Sequence, residues 1–255
     1  FGGSLYMYDL SITLGSDWDK GIAYSRNGQG HVAGVTVIGN GADVGYGIYV
    51  QEGAQVYISN NNISGVGVGV LALNGAAVKF SGTNSISSSS WSAIKLAGAT
   101  ARHEGDLILS SQTKALTLDH NSTWNGEFHN INVTSGSVWL ENSSSLTVNN
   151  LNVSGDVYAS QSSMKLYNID ATNVNVNKGT MLIHAGTVSN NINLNAGLAD
   201  IENLTANNIT LFDSSYVSFK DVNATAAMYV NDQSKAIVNG TVRTELSKLH
   251  CSSLS

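Results

Sequence analysis

Apolar residues recur along this chain in short alternating runs. Val138-Trp-Leu140, Val157-Tyr-Ala159, Val174-Asn-Val176, Ile192-Asn-Leu194, Ile209-Thr-Leu211 and Met228-Tyr-Val230 follow one another at a nearly constant step. Alternation at period two over such short runs marks a half-buried strand. Each run is followed by a small corner residue: Ser144, Ser162, Gly179, Gly197, Ser215 or Ser234. A second run comes next, as in Leu146-Thr-Val148, Met164-Lys-Leu166, Met181-Leu-Ile183 and Val217-Ser-Phe219. A third often follows, as in Leu151-Asn-Val153, Ile169-Asp-Ala171 and Val222-Asn-Ala224. The first half repeats with a longer step. One constant shift carries Gly47 onto Gly69, Gly53 onto Gly75, Ala54 onto Ala76, Val56 onto Val78 and Ile58 onto Phe80. Looser copies, at slightly longer shifts, align Gly98 with Gly75 and Gly28 with Gly53.

Three strands per unit, separated by small polar corners, make a coil with three sides. One coil cannot bury its own inner face, whereas stacked coils bury a continuous core by pairing each strand with its equivalent one turn away. The pattern therefore predicts an all-β chain, a right-handed, three-sided parallel β-helix. At a strand spacing of roughly 4.7–4.9 Å, about 12 or 13 coils give a rod about 60 Å long. The solenoid is expected over residues 1–242 as one domain, with coils of about 22 residues in the first half and about 18 in the second. Residues 243–255, RTELSKLHCSSLS, leave the pattern and read as a cap, a linker or vector-encoded residues.

Composition sharpens this picture. The 255 residues include no proline, where about 5% is usual. Continuous parallel ladders need a backbone N–H at nearly every position, and proline removes one. Charged residues make up only 12%, because like charges stacked one coil apart repel. The chain holds 29 Asn, 34 Ser and 26 Gly, and Asn and Gly accept tight or left-handed corners most readily. Asn173, Asn191 and Asn208 precede equivalent strands, so their amides are expected to stack as a ladder. A net charge of −6 with only three arginines supplies no basic stripe, which excludes nucleic acid as a partner. The longest apolar stretch, Val66 to Leu73, falls far short of the ~20 residues of a membrane span. Cys251 is the only cysteine, so neither an intrachain disulfide nor a Cys-based metal site is available.

These coils resemble the pertactin-like passenger domains of Gram-negative autotransporters, the type V secretion adhesins. The resemblance is carried by GIYVQEGAQVYIS and GVLALNGAAVKFS in the first half. It is carried also by LTLDHNSTWNGEFHN, where Leu116, Leu118, Ser122, Trp124 and Gly126 match a recurrent L-x-L-x-x-x-S-x-W-x-G unit. It covers roughly residues 20 to 242. It implies a secreted or surface-attached passenger, with the translocator β-barrel encoded elsewhere in the gene. It also implies a non-enzymatic role, in adhesion to a host or matrix protein or glycan or in bacterial self-association. Ligand motifs are not shared within the family, so no binding residue is carried over.

Candidate chemistry is sparse. The G-D-S-G-type loop of a trypsin-like passenger protease is missing. A polysaccharide lyase or hydrolase on this fold, or a phage tailspike segment, is the rival reading and requires convergent carboxylates. The available pairs are Asp17 with Asp19, Glu104 with Asp106, and Asp200 with Glu202, and Asp213 is expected one coil from Asp200. Arg102, His103, Glu104 and Asp106 are expected in a bulge between coils and form the best ligand-contact loop by chemistry. Six histidines lack metal-ligand spacing, although His120 and His129 flank Trp124. No cofactor is implied. Aromatic side chains dominate interfaces, which singles out Trp18, Trp91, Trp124 and Trp139. Alternation turns Trp139 outward, with Tyr158 beneath it in the next coil and Asn175 and Asn193 after that, so a Trp139–Tyr158 stack is expected on the surface. Nine N-x-S/T sequons, from Asn62 to Asn239, follow from the abundance of Asn, Ser and Thr. A third reading is a secreted passenger that engages a host receptor as an effector.

Overall fold

The computed structural model describes residues 3–16, 18–41, 45–249 and 253–254. Among the described residues, twenty-four strands form one sheet in which every pairing is parallel, and no helix occurs. The strands fall into three columns. Face 1 begins with Lys20–Tyr24 and Tyr46–Val50 and continues through 68–73, 92–97, 114–118, 138–140, 157–160, 174–177, 192–195, 208–212 and 227–230. Face 2 runs from Ser4–Tyr8 through Gln29–Ala33, Gln55–Ser59, Ala77–Ser81 and Thr100–Glu104 to Lys235–Val238. Face 3 starts at Ser11–Thr13 and Thr36–Ile38. The chain passes from face 1 to face 2 to face 3 in each turn, and the turns stack as a β-solenoid.

The stack has about 11 turns, fewer than the 12 or 13 expected. Some early coils are longer than the average repeat suggests. Ile22 pairs with Ile48 and Val70 with Ile94, both longer steps than the one from Ile48 to Val70. At the strand spacing of ~4.7–4.9 Å the rod is about 50 Å long. The register predicted within the first half holds, with Val56 opposite Val78 and Ile58 opposite Phe80. The upstream alignment shifts by a single position. Gln55 pairs with Gln29, which sets Gly28 opposite Ala54 rather than Gly53. Strand pairing also runs past residue 242, because Val242–Leu249 lies parallel to Val222–Val230.

Backbone geometry at the corner from face 1 to face 2 explains part of the change in period. Arg26–Asn27, Glu52–Gly53, Asn74–Gly75, His120–Asn121 and Asn142–Ser143 are successive left-handed residues. At Gln161, Lys178 and Ala196 a single left-handed residue suffices. The doublet lengthens the corner by a single position. It returns at Asp213–Ser214, where the step from Ile209 to its partner Met228 lengthens again. In the coil that begins at Thr123, further extra residues sit where register shifts break the pairing, between Gly126 and Asn130 and between Val133 and Val138.

Inside, the apolar rows superpose. Ile48, Val70, Ile94, Leu116, Val138, Val157, Val174, Ile192 and Ile209 stack along face 1 without accessible surface. Polar rows also enter the interior at the corners, where serine hydroxyls accept from buried N–H groups; those of Ser122 and Ser215 also donate to the Asp119 and Phe212 carbonyls. Ser144 Oγ accepts from the Ser122 N–H at 3.3 Å, Ser162 Oγ from Ser144 N–H at 3.2 Å, and Ser234 Oγ from Ser215 N–H at 3.1 Å. These serines are buried, and satisfying a buried donor avoids a cost of about 1–3 kcal/mol. Asn61 does the same on the turn from face 2 to face 3. Its Oδ1 accepts from Val35 N–H at 2.7 Å, and its Nδ2 donates to the Val32 carbonyl at 2.9 Å.

Candidate functional site

The segment Thr100–Glu104 is a strand of face 2, not a bulge between coils. Alternation therefore separates the residues grouped by the sequence reading. Ala101 and His103 point into the core, and Arg102 points out. Glu104 lies at the surface, where it pairs with Lys79 Nζ at 2.7 Å and with Arg102 at 3.1 Å. The hydrogen bond from Lys79, together with the charges of Lys79 and Arg102, holds the Glu104 carboxyl below its usual range. Asp106 lies exposed beyond the Gly105 corner. Arg102 and Glu104 thus share the surface, while His103 cannot reach a ligand bound there.

His103 belongs instead to a buried aromatic cluster. Trp124 Nε1 donates to His103 Nδ1 at 2.9 Å, so the imidazole proton sits on Nε2, which is buried without a partner. Trp124 stacks on Phe80 at 5.5 Å, and the His129 ring lies 5.8 Å from His103. Burial, aided by the charge of His129, pushes the His103 imidazole down to about 4. Gly126 makes room for the ring, because a Cβ there would stand 1.7 Å from His103 Cε1. Trp124, named from sequence as a contact residue, is thereby a core residue. Leu116, Leu118 and Ser122 of the same L-x-L-x-x-x-S-x-W unit are also fully buried. That unit encodes interior packing.

The other carboxylates stay dispersed. Asp200 faces Ser218 across the ladder, and Glu202 approaches Lys220 and His184 at 3.8 and 3.7 Å. Asp213 occupies a left-handed corner position instead of stacking on Asp200. Asp17, His250 and Cys251 lie outside the described residues. Among the described residues, no three His, Cys, Asp or Glu side chains come together as metal ligands.

The aromatic expectation on face 1 holds. Trp139 pairs with Tyr158, Tyr158 with Asn175, and Asn175 with Asn193. The rings of Trp139 and Tyr158 pack with centroids 4.4 Å apart and planes tilted by 31°, and Lys114 Nζ sits 3.9 Å from the Trp139 centroid. The amide ladder is present on the same face and points outward. Asn173 Nδ2 donates to Asp156 Oδ1 at 2.7 Å, Asn191 N–H to Asn173 Oδ1 at 3.1 Å, and Asn208 Nδ2 to Asn191 Oδ1 at 2.9 Å. The ladder ends on the Asp156 carboxylate, which also accepts from the Tyr158 hydroxyl at 2.8 Å. That bond and burial hold the Tyr158 phenol above its usual range.

No protein-family model, curated protein or solved structure matches this chain.

Beside the ladder, a groove of about 410 Å³ runs along face 1. One side is Trp139, Tyr158, Asn175 and Asn193, and the other is Glu141, Ser160, Asn177, Asn195 and Phe212. Its size is that of a small-ligand site. Sequence reasoning missed Asn177, Asn195 and Phe212. The signal was available, since they follow Val176, Leu194 and Leu211 in the alternation and share one column with Ser160. Lys114 was not findable, because a register shift lies between it and Leu116 in this pairing.

Proposed function

We propose that the chain is a non-enzymatic autotransporter-type passenger, acting at the bacterial surface or after secretion. Its role in this reading is adhesion to a host or matrix ligand, or bacterial self-association. The observation that carries the reading is the uninterrupted stack of turns with a continuous outward groove on face 1, where an aromatic pair adjoins rows of amides. Aromatic and amide side chains on a rigid scaffold are contact chemistry, and extended solenoid faces suit extended partners. The inward turn of His103, away from Arg102 and Glu104, and the separation of Asp213 from Asp200 support binding over polysaccharide cleavage.

The test displays the chain on bacteria that do not otherwise adhere. Expected is retention on at least one of cultured host cells, matrix proteins or immobilised glycans, or settling of the culture through cell–cell contact. Absence of all of these across a broad panel overturns the reading, and so does release of reducing or unsaturated sugar from polysaccharides by the purified chain.

A further inference from the structure

Within the face 1 groove, one end and the floor differ in chemistry. Trp139 and Tyr158 meet face towards face from one rung to the next, tilted by 31°, so their ring faces point roughly along the solenoid axis. Lys114 occupies one side of Trp139, and Tyr158 is tied at its hydroxyl to Asp156. The remaining face of Tyr158 looks down the groove over the shorter side chains of Asn175 and Asn193. Phe212, 38% exposed, lines the far end of the neighbouring column. Asn193 Nδ2 donates to Asn175 Oδ1 at 2.9 Å, which leaves the Asn175 amide nitrogen and the Asn193 carbonyl oxygen for a ligand. No hydrogen bond engages the side chains of Asn177 or Asn195 among the described residues. Glu141 is the only charged residue in the lining.

We infer that this groove binds an uncharged linear saccharide running along the solenoid axis. The sugar at one end of the saccharide abuts the outer face of Tyr158, and hydroxyls pair with the amides of Asn175, Asn177, Asn193 and Asn195. The inference rests on reading the chain as a binding protein without catalytic activity. Amides offer donors and acceptors together, which matches hydroxyls that do both. The near absence of charge favours a neutral glycan over an acidic one. Spacing points the same way. Rungs lie ~4.7–4.9 Å apart, whereas an extended peptide advances ~3.3 Å per residue and falls out of step with them. A pyranose linked through O1 and O4 spans about one rung, so equivalent amides meet successive sugars.

The probes are cellohexaose and chitohexaose, with hexagalacturonate as the anionic control, each titrated calorimetrically into the full chain. At least one neutral hexasaccharide is expected to bind, and hexagalacturonate about tenfold more weakly or not at all. Loss of the contact with the end sugar predicts that Tyr158→Ala weakens binding several-fold, while Tyr158→Phe retains it. Asn177→Ala with Asn195→Ala weakens it several-fold, and this pair decides the matter if Tyr158→Ala fails to fold. The inference is overturned if neither neutral probe binds at millimolar concentration, if the anionic probe is preferred, or if the folded variants bind like the wild type. Failure of the probes with adhesion or settling intact removes this inference alone. Binding accompanied by cleavage of the probe leaves the groove assignment standing and removes the non-enzymatic reading.

Discussion

Acid should loosen this solenoid through one residue, His103. The imidazole is 1% exposed and accepts from Trp124 Nε1–H. Its value falls from an ordinary 6.5 to about 4, chiefly through burial, with the charge of His129 adding to the effect and the backbone at His129 and Asn130 and the Asp106 charge opposing it. In the unfolded chain the same imidazole takes up a proton as the pH drops through 6.5. Between 6.5 and about 4 the unfolded state therefore binds more protons than the folded one, and stability falls as the pH falls. At about 1.36 kcal/mol per pH unit, the full loss is roughly 3 kcal/mol, complete near pH 4. His103→Gln keeps a neutral hydrogen-bonding side chain beside Trp124 and removes the titration. Urea midpoints at pH 7.5, 5.5 and 4.0, followed by circular dichroism, compare the two proteins. The carboxylates are common to both and cancel in the difference. The variant is expected to start less stable at pH 7.5 and to lose roughly 3 kcal/mol less on acidification. Parallel loss in the two proteins, or a His103 proton resonance that titrates near 6.5, would refute the reasoning.

Three further substitutions probe the stacking itself. Gly69→Val places a Cβ about where Ile86 Cγ2 and the Ala93 carbonyl oxygen lie, at 2.2 and 2.5 Å; overpacking of this kind costs about 1–3 kcal/mol, read as a lower urea midpoint. Asn61→Leu deprives the Val35 N–H of its partner, and at about 1–3 kcal/mol for a buried donor left unpaired it should speed amide exchange at Val35 far more than in distant coils. Asp156→Ala removes the acceptor shared by Asn173 and Tyr158, so the Tyr158 phenol should ionise at lower pH, nearer 10, in an ultraviolet titration; an unchanged titration would show that the Asp156 contact is not maintained in solution.

Much of the groove is legible in the sequence. Trp139 and Tyr158 share a register position because both sit between inward apolar residues of equivalent strands, and parallel stacking superposes such positions. The same logic placed Asn175 and Asn193 below them. It failed for the Arg102–Asp106 segment. A polar run next to a predicted corner looked like a surface loop, yet the ladder with Ala77–Ser81 continues through it and sets His103 opposite Phe80. Glu127 also escaped prediction. From the irregular stretch after Gly126 it reaches the Lys165 and Tyr167 side chains, which lie far along the chain in a later coil.

By itself the sequence determined the class of fold, the phase of alternation within each strand, and the neighbours along each column. Period-two alternation and a near-constant repeat leave one way to bury every apolar row. Only the tertiary structure decided the number of turns, the residue that begins each strand after a corner, and which polar side chains are drawn inside. Corner length depends on how many residues adopt the left-handed conformation, and the apolar pattern does not encode that number. Burial of His103 depends on the space above Gly126 and on the Trp124 N–H that fills it, both contributed by the next coil.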